Sequence, residues 1–153
     1  MKDPAQSARP TRLVADANVL IAAFLKDSTV RRIVILSGLQ LFVPEYLLEE
    51  LEAHFPELWR RSGLREEEAR EMLKRLLTYF TVVPHEIVAQ GLPEAARVME
   101  AIDPRDAAYV ATALGIDCDG IWSDDPHLKR QDRVACWTTR ELVRELKKIG
   151  FRP

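Results

Sequence analysis

The stretch LVADANVLIAAF, residues 13–24, places a single ionisable group, Asp16, inside an otherwise apolar run. Its first three residues are typical of a short buried strand, and the residues from Asn18 onward are apolar at helical spacing. A carboxylate this close to a core needs a strong partner, because an unpaired buried charge is costly. No Arg or Lys occupies a neighbouring position. A cap of the following helix and a ligand of a divalent metal ion are the two interpretations of Asp16.

The rest of the chain continues this alternation of strand and helix. Apolar runs typical of strands occupy residues 13–15, 40–43, 79–83, 120–123 and 133–136. Helical patterns lie between or after them, at residues 18–26, 29–38, 44–55, 65–77, 93–101, 104–115 and 138–150. Parallel strands need crossover connections, and helices usually supply them. The alternation therefore predicts an α/β fold, a three-layer α/β/α sandwich around a mostly parallel sheet of about five strands.

Length and composition predict one globular domain. The chain has 153 residues, 47% of them hydrophobic, and residues 1–11 lack apolar periodicity, so we expect a flexible N-terminal tail and a single domain over 12–153. A formal net charge of −2 gives no general attraction to nucleic acid or to an anionic membrane. The two cysteines lack metal-ligand spacing, and no apolar stretch is long enough to span a bilayer. We expect a cytoplasmic protein with no membrane partner.

Three aspartates stand at or near the ends of predicted strands. Asp16 ends the first strand, Asp125 follows the fourth, and Asp106 opens the helix that precedes the fourth. In open α/β sheets, ligands bind beyond the carboxyl ends of the strands, where residues that are distant in sequence meet. The sequence therefore predicts that these three carboxylates converge at one edge of the sheet.

The helix of residues 44–55 offers a fourth carboxylate. On a helical wheel, Glu50 falls on one border of the buried stripe, and Glu52 falls on the other border as a weaker candidate. Glu45 and Glu49 fall on the far side. We therefore select Glu50 as the fourth acid.

Each aspartate near a helix start also has a purely structural interpretation. Asp103 suits the N-cap of a helix that begins at Pro104, and Asp106 would then lie in the favourable end of the helix dipole. Asp125, which precedes Pro126, also suits an N-cap. We interpret Asp103 as a cap, whereas Asp106 shares the apolar face of its helix, which favours a functional role.

The donor set favours a hard metal ion. Four carboxylates without a histidine or cysteine cluster form an all-oxygen site, which suits Mg²⁺ or Mn²⁺ rather than Zn²⁺. The three histidines, at positions 54, 85 and 127, are scattered and lack a metal-ligand spacing. Mg²⁺ held by a few carboxylates commonly acts on phosphate esters. The residues alone therefore point to metal-assisted phosphoryl chemistry.

Four motifs, in order, resemble those of PIN-domain nucleases. They are LVADANVLIAAF, VPEYLLEEL, DAAYVATALGID and IWSDDPHL, and the resemblance covers residues 12–147. It implies a doubly wound sandwich around a parallel sheet. It also implies metal-site and catalytic acids at the following positions: Asp16, Glu50, Asp106 and Asp125. Asn18 would be a polar support, and Ser123 would occupy a position where the family often has threonine.

The resemblance also implies an activity and partners. Similar proteins are endoribonucleases that use Mg²⁺ or Mn²⁺ to hydrolyse RNA phosphodiesters, and many are toxins of toxin–antitoxin pairs. We therefore expect an RNA substrate, an antitoxin partner bound along residues 29–38, and a homodimer. The alternatives are an RNA-processing nuclease that is not a toxin and a non-catalytic scaffold. A phosphatase using Asp16 as nucleophile is disfavoured, since Asn18 stands where such enzymes usually have a second aspartate.

Five further residues near the motifs are left as open questions. The carboxylates of Asp103, Asp124 and Glu49 lie beside motif acids, and any of them can join the site. Lys129 and Arg130 follow the fourth motif and are the basic residues that we expect to contact RNA. Because like charges around an empty site repel one another, we also expect raised carboxyl pKa values in the metal-free protein.

Overall fold

A computed structural model describes residues 9–25 and 28–153. Residues 1–8 of the predicted tail, and residue 26 of the first predicted helix, lie outside the described residues. The backbone N–H of Thr11 donates to the carboxylate of Asp119 at 2.8 Å. This contact fastens the chain just before the first strand to a distant loop.

Five strands form one sheet in which every pairing is parallel. They are β1 (Arg12–Ala15), β2 (Gln40–Pro44), β3 (Phe80–Val83), β4 (Ile121–Trp122) and β5 (Cys136–Trp137). Their order across the sheet is β3-β2-β1-β4-β5. The predicted α/β fold with a parallel sheet of about five strands is confirmed.

Helices cover both faces of the sheet. In the described part of the chain they are α1 (Ala17–Leu25), α2 (Thr29–Leu36), α3 (Glu45–Ala53), α4 (Phe55–Ser62), α5 (Glu66–Leu77), α6 (His85–Met99), α7 (Ala107–Gly115), α8 (Pro126–Arg130) and α9 (Thr139–Lys147). Side chains of β1 alternate between two cores, because neighbouring strand residues point to opposite faces. Leu13 and Ala15 pack with α1–α5 and α9, whereas Val14 packs with α6–α8. The three predicted layers follow from this alternation.

Several predicted helix boundaries shift by up to three residues, and two predicted helices differ more from the structure. The predicted helix 44–55 is two helices, since Pro56 lies in the first turn of α4 and cannot continue the hydrogen-bond ladder of α3. The predicted helix 93–101 begins earlier, at His85, and contains Pro93 in its interior. Helix α6 lies close against α7, where a Cβ on Gly91 would come 2.5 Å from the carbonyl oxygen of Ala111. Tertiary packing of this kind overrides local propensity.

The fifth strand is also displaced from its predicted range. It comprises Cys136–Trp137, so the predicted range 133–136 is wrong except for its last residue. The side chain of Gln131 explains the shift, because its carbonyl oxygen accepts from Val134 N–H at 2.9 Å and its amide donates to the Val134 carbonyl at 2.7 Å. These two bonds hold the preceding residues in a loop.

The strand order determines where a ligand site lies. The connections reverse direction between β1 and its neighbour β4, which creates a crevice beyond the carboxyl ends of these two strands. Asp16 directly follows β1, and Ser123 directly follows β4. Among the described residues, no helix combines the length and apolar composition needed to cross a membrane.

Candidate metal centre

Asp16 is buried and held on both oxygens. It is 3% exposed and follows directly after β1. Its Oδ1 accepts from the backbone N–H of Val19 at 3.0 Å, and its Oδ2 accepts from the hydroxyl of Ser123. Burial raises the pKa of Asp16, and these two hydrogen bonds oppose that rise. Asp16 therefore caps α1 and is also fixed in orientation by the neighbouring strand.

Ser123 connects two of the predicted acids. Its side chain is buried, and its Oγ accepts from the backbone N–H of Asp125 at 3.0 Å while its hydroxyl donates to Asp16. Asp125 Oδ1 in turn accepts from the backbone N–H of His127 at 2.8 Å, which makes Asp125 the N-cap of α8. The cap interpretation of Asp125 is confirmed, and the same geometry places its carboxylate beside Asp16.

Asp106 carries an unsatisfied buried oxygen. It ends the short 3-10 helix Pro104–Asp106 before α7, and its Oδ2 is buried with no hydrogen-bond partner in the described residues. Burial, and then the charges of Asp125, Asp103 and Asp16, raise the pKa of Asp106 to about 6. A buried carboxylate oxygen without a partner, facing other carboxylates, fits a bound cation. The expected rise of carboxyl pKa values is confirmed for Asp16 and Asp106.

Asp103 lies in the same cluster. It caps the 3-10 helix by accepting from the backbone N–H of Arg105 at 3.1 Å, and it pairs with the Arg105 guanidinium through both oxygens, each at 3.1 Å. Ligand atoms of Asp103, Asp106 and His127 all lie within 4.8 Å of one another. The predicted cap is confirmed, and the carboxylate lies close enough to Asp106 to contribute to a metal site.

The acidic pocket is the cavity in which these groups meet. It has a volume of about 280 Å³. The acids that line it are Asp16, Asp103, Asp106 and Asp125. Asn18 is exposed and lines it as well, together with Arg105 and Tyr109. The structure therefore brings three of the four predicted acids together with the predicted polar support.

Glu50 lies beside the acidic pocket rather than in its lining. Its side chain is 45% exposed, and its Oε2 is 3.4 Å from His54 Nε2. It lines a second cavity, which Tyr46 connects to the acidic pocket. Burial, and then the charges of Glu50 and Asp106, raise the pKa of Tyr46.

Two acids that the sequence left open have partners elsewhere. Glu49 Oε1 is 2.8 Å from His85 Nε2. Asp124 accepts from the backbone N–H of Thr139 at 2.7 Å and from its hydroxyl at 2.6 Å. Neither Glu49 nor Asp124 lines the acidic pocket.

The two predicted RNA contacts differ in their surroundings. The ammonium group of Lys129 donates to the Cys136 carbonyl at 2.7 Å and to the Glu141 carboxylate, so it joins α8 to β5 and α9. Arg130 is exposed at the end of α8.

Three polar or aromatic residues of the pocket lining were missed in the sequence: Tyr46, Arg105 and Tyr109. Arg105 lies between two aspartates of the third motif, and Tyr109 follows Asp106 at a spacing of three. The hydroxyl oxygen of Tyr109 accepts from the backbone N–H of Ala17 at 3.2 Å, which ties α7 to the start of α1. Helical spacing from Asp106 was the signal that could have identified Tyr109.

A comparison with known families agrees with the fold and the carboxylate cluster. A family model of the PIN domain matches residues 14–147. A search of the curated proteins found no match. PIN domains are generally nucleases that use a divalent metal ion. Since the match spans most of the chain and the parallel sheet presents the acids where a metal would bind, the chain belongs to the PIN-domain family.

Proposed function

We propose that this protein is a cytoplasmic endoribonuclease that depends on Mg²⁺ or Mn²⁺ and hydrolyses RNA phosphodiesters at the acidic pocket. The unpartnered buried Oδ2 of Asp106 is the observation that carries the proposal. Asp16, Asp106 and Asp125 would hold the metal ion, and Asp103 and Glu50 stand close by. All of these groups are carboxylates, the ligands that Mg²⁺ and Mn²⁺ prefer.

The residues around the acids suit a phosphodiester substrate. A divalent ion held here would supply Lewis acidity and a more acidic attacking water. Ser123 and the N–H of Val19 hold Asp16 in one orientation, so little reorganisation is needed on binding. The amide of Asn18 and the guanidinium of Arg105 line the pocket and can donate to phosphate oxygens.

A matched set of variants tests the nuclease activity. Wild-type protein is incubated with single-stranded RNA and Mn²⁺, with and without EDTA, beside D16N, D106N and E49Q. We expect cleavage that needs the metal, is abolished in D16N and D106N, and is retained in E49Q, since Glu49 is bonded to His85 outside the pocket. Equal cleavage by wild type and D16N would show a contaminating nuclease and contradict the proposal. Metal binding without cleavage would favour the scaffold alternative.

We also propose that the nuclease is the toxin of a toxin–antitoxin pair and that it forms a homodimer. Helix α2 supports a protein partner because it leaves Ile35 and Leu36 exposed, at 37% and 59%. We expect expression of the wild-type protein to arrest growth and expression of D16N not to do so. Harmless expression of a protein that is active in vitro would favour an RNA-processing role. Light scattering of the purified protein tests the dimer.

A further inference from the structure

A second cavity adjoins the acidic pocket, and we call it the α3–α4 groove. It lies between α1, α3 and α4 and has a volume of about 270 Å³. Its apolar floor consists of Ile21, Leu47, Leu51 and Leu58. Its lining includes Ala17, Tyr46 and Tyr109, which also line the acidic pocket. The two cavities therefore adjoin at these three residues.

The break between α3 and α4 shapes the groove. Tyr46 and Glu50 lie on successive turns of α3, His54 follows at its C-terminal end, and all three line the groove. Glu57 and Arg61 are four residues apart on α4 and form the rim of the groove on that helix. The groove thus has an apolar floor, an aromatic side chain towards the acids, and polar groups of both signs along its edge.

We propose that the α3–α4 groove binds one nucleobase of the RNA strand whose phosphodiester lies in the acidic pocket. This inference rests on the proposed nuclease function. Proteins recognise single-stranded RNA by stacking splayed bases on aromatic side chains and bonding to the edges of the bases. Tyr46 is 38% exposed and stands where the two cavities meet, so a base next to the cleaved phosphate can reach it.

The rim favours guanine over the other bases. The guanidinium of Arg61 only donates hydrogen bonds, and the ionised carboxylate of Glu57 only accepts them. Guanine presents two adjacent acceptors, O6 and N7, which suit an arginine. It also presents two adjacent donors, at N1 and N2, which suit a carboxylate. It is the one base that offers a two-point contact to each group.

A positional scan of an RNA oligonucleotide tests the groove. Hexauridylate carrying one guanosine, or one abasic nucleotide, at each position in turn is bound to the wild-type protein in Ca²⁺, with fluorescence anisotropy as the readout. Stacking of a base on a protein is worth enough to change affinity by about tenfold. The contact of guanine with Arg61 is worth about another tenfold, so we expect one position at which guanosine binds roughly a hundredfold tighter than the abasic nucleotide.

Two variants of neighbouring arginines provide the decisive comparison. R61A keeps the ring of Tyr46 but loses the guanidinium, so it should reduce the difference between guanosine and the abasic nucleotide to the roughly tenfold that stacking supplies. R60A removes a positive charge from the same helix, at a residue outside the groove lining, and should retain the full difference. I21W, checked for folding by circular dichroism, should abolish the difference by filling the groove.

The outcomes separate this inference from the nuclease proposal. A difference between guanosine and the abasic nucleotide that is unchanged in R61A overturns the base-binding groove. A scan in which guanosine and the abasic nucleotide bind equally at every position also overturns it, and is the result expected if the groove receives a protein segment. Cleavage with Mn²⁺ but without a base effect contradicts only the groove. A base effect that is reduced in R61A, in a protein that cleaves no RNA, supports the groove and contradicts the nuclease.

Discussion

The hydroxyl of Ser123 donates to the buried carboxylate of Asp16, across two strands that are neighbours in the sheet but distant in sequence. The same Oγ accepts from the N–H of Asp125 at 3.0 Å. One side chain therefore fixes the first acid and the backbone that carries a second. The crevice between β1 and β4 makes this link available, since both strands end at the same level.

Removal of this hydroxyl should damage both stability and metal binding. In S123A, Asp16 Oδ2 loses its donor in a buried site, and an unsatisfied buried acceptor costs about 1–3 kcal/mol. We expect the free energy of unfolding to fall by that amount in urea titrations, and the affinity for Mn²⁺ to fall as well. S123T keeps the hydroxyl and should behave as wild type. An S123A protein with unchanged stability and unchanged Mn²⁺ affinity would contradict the role given to Ser123.

Neutralisation of Asp106 should stabilise the metal-free protein. Burial and the charges of Asp125, Asp103 and Asp16 raise the pKa of Asp106 to about 6, so its ionisation opposes folding at neutral pH. D106N removes that charge, and after discounting for solvent screening we expect a gain of about 1 kcal/mol in EDTA.

In the presence of Mn²⁺, the wild-type protein should be more stable than D106N. A saturating ligand at about a hundred times its Kd stabilises a protein by about 2.7 kcal/mol, and D106N should lose most of that gain. Thermal unfolding in EDTA and in Mn²⁺ measures both effects. D124N is the matched control: its amide nitrogen cannot accept from the Thr139 hydroxyl, so it should be destabilised under both conditions. A D106N protein that gains as much from Mn²⁺ as wild type would rule out Asp106 as a ligand.

The strand-end acids could be predicted from the sequence because their positions follow from topology. A parallel sheet brings the residues after β1 and β4 to one edge independently of loop conformation. Asp16 and Asp125 were therefore identifiable from the alternation of strands and helices alone. Asp106 was identifiable from the apolar face of the predicted helix 104–115. The cap roles of Asp103 and Asp125 followed from their places before prolines, and local chemistry of this kind is readable in a sequence.

The remaining features depend on how the helices pack against one another and on which rotamer each side chain adopts. A helical wheel selects a face for Glu50, but not whether its long side chain turns to His54 or to the acidic pocket. Tyr109 reaches Ala17 only because α7 packs close to the start of α1. The start of β5 is set by bonds from the Gln131 side chain, which leave no periodic signal in the sequence.

A histidine far from the pocket should show a simple pH effect. The hydrogen bond that the imidazole donates to Glu49, and the nearby charges of Glu45 and Glu86, raise the pKa of His85 above its ordinary value of 6.5. Its stabilising contribution is therefore complete below the ordinary pKa and is lost as the pH rises through the raised pKa. We expect NMR titration to show a lower His85 pKa in E49Q. Wild type should be more stable than E49Q in acid, and the difference should shrink in alkali; a pH-independent difference would contradict this.

The close contact between α6 and α7 should make the substitution of Gly91 by alanine destabilising. A Cβ on Gly91 would come 2.5 Å from the carbonyl oxygen of Ala111, which belongs to backbone and cannot rotate away. The helix propensity of alanine favours G91A by about 1 kcal/mol, but overpacking of this kind typically costs about 1–3 kcal/mol. We expect a net loss of stability on urea unfolding. Q90A, at the exposed neighbouring position, should be neutral or slightly stabilising. A G91A protein as stable as wild type would contradict this prediction, since it would show that α6 and α7 can move apart at no cost in stability.

The two basic residues after the fourth motif should contribute unequally to RNA binding. Lys129 donates to Cys136 and Glu141 within the protein, so RNA must compete for its ammonium group. Arg130 is exposed one residue later. We expect R130A to weaken RNA binding at every sequence and to lower the slope of log affinity against log salt by about 1. K129A should change this slope little and cost at most about 1 kcal/mol of stability, as partly exposed ion pairs do. Anisotropy titrations at several salt concentrations measure the slopes; the opposite ranking would place the contact at Lys129.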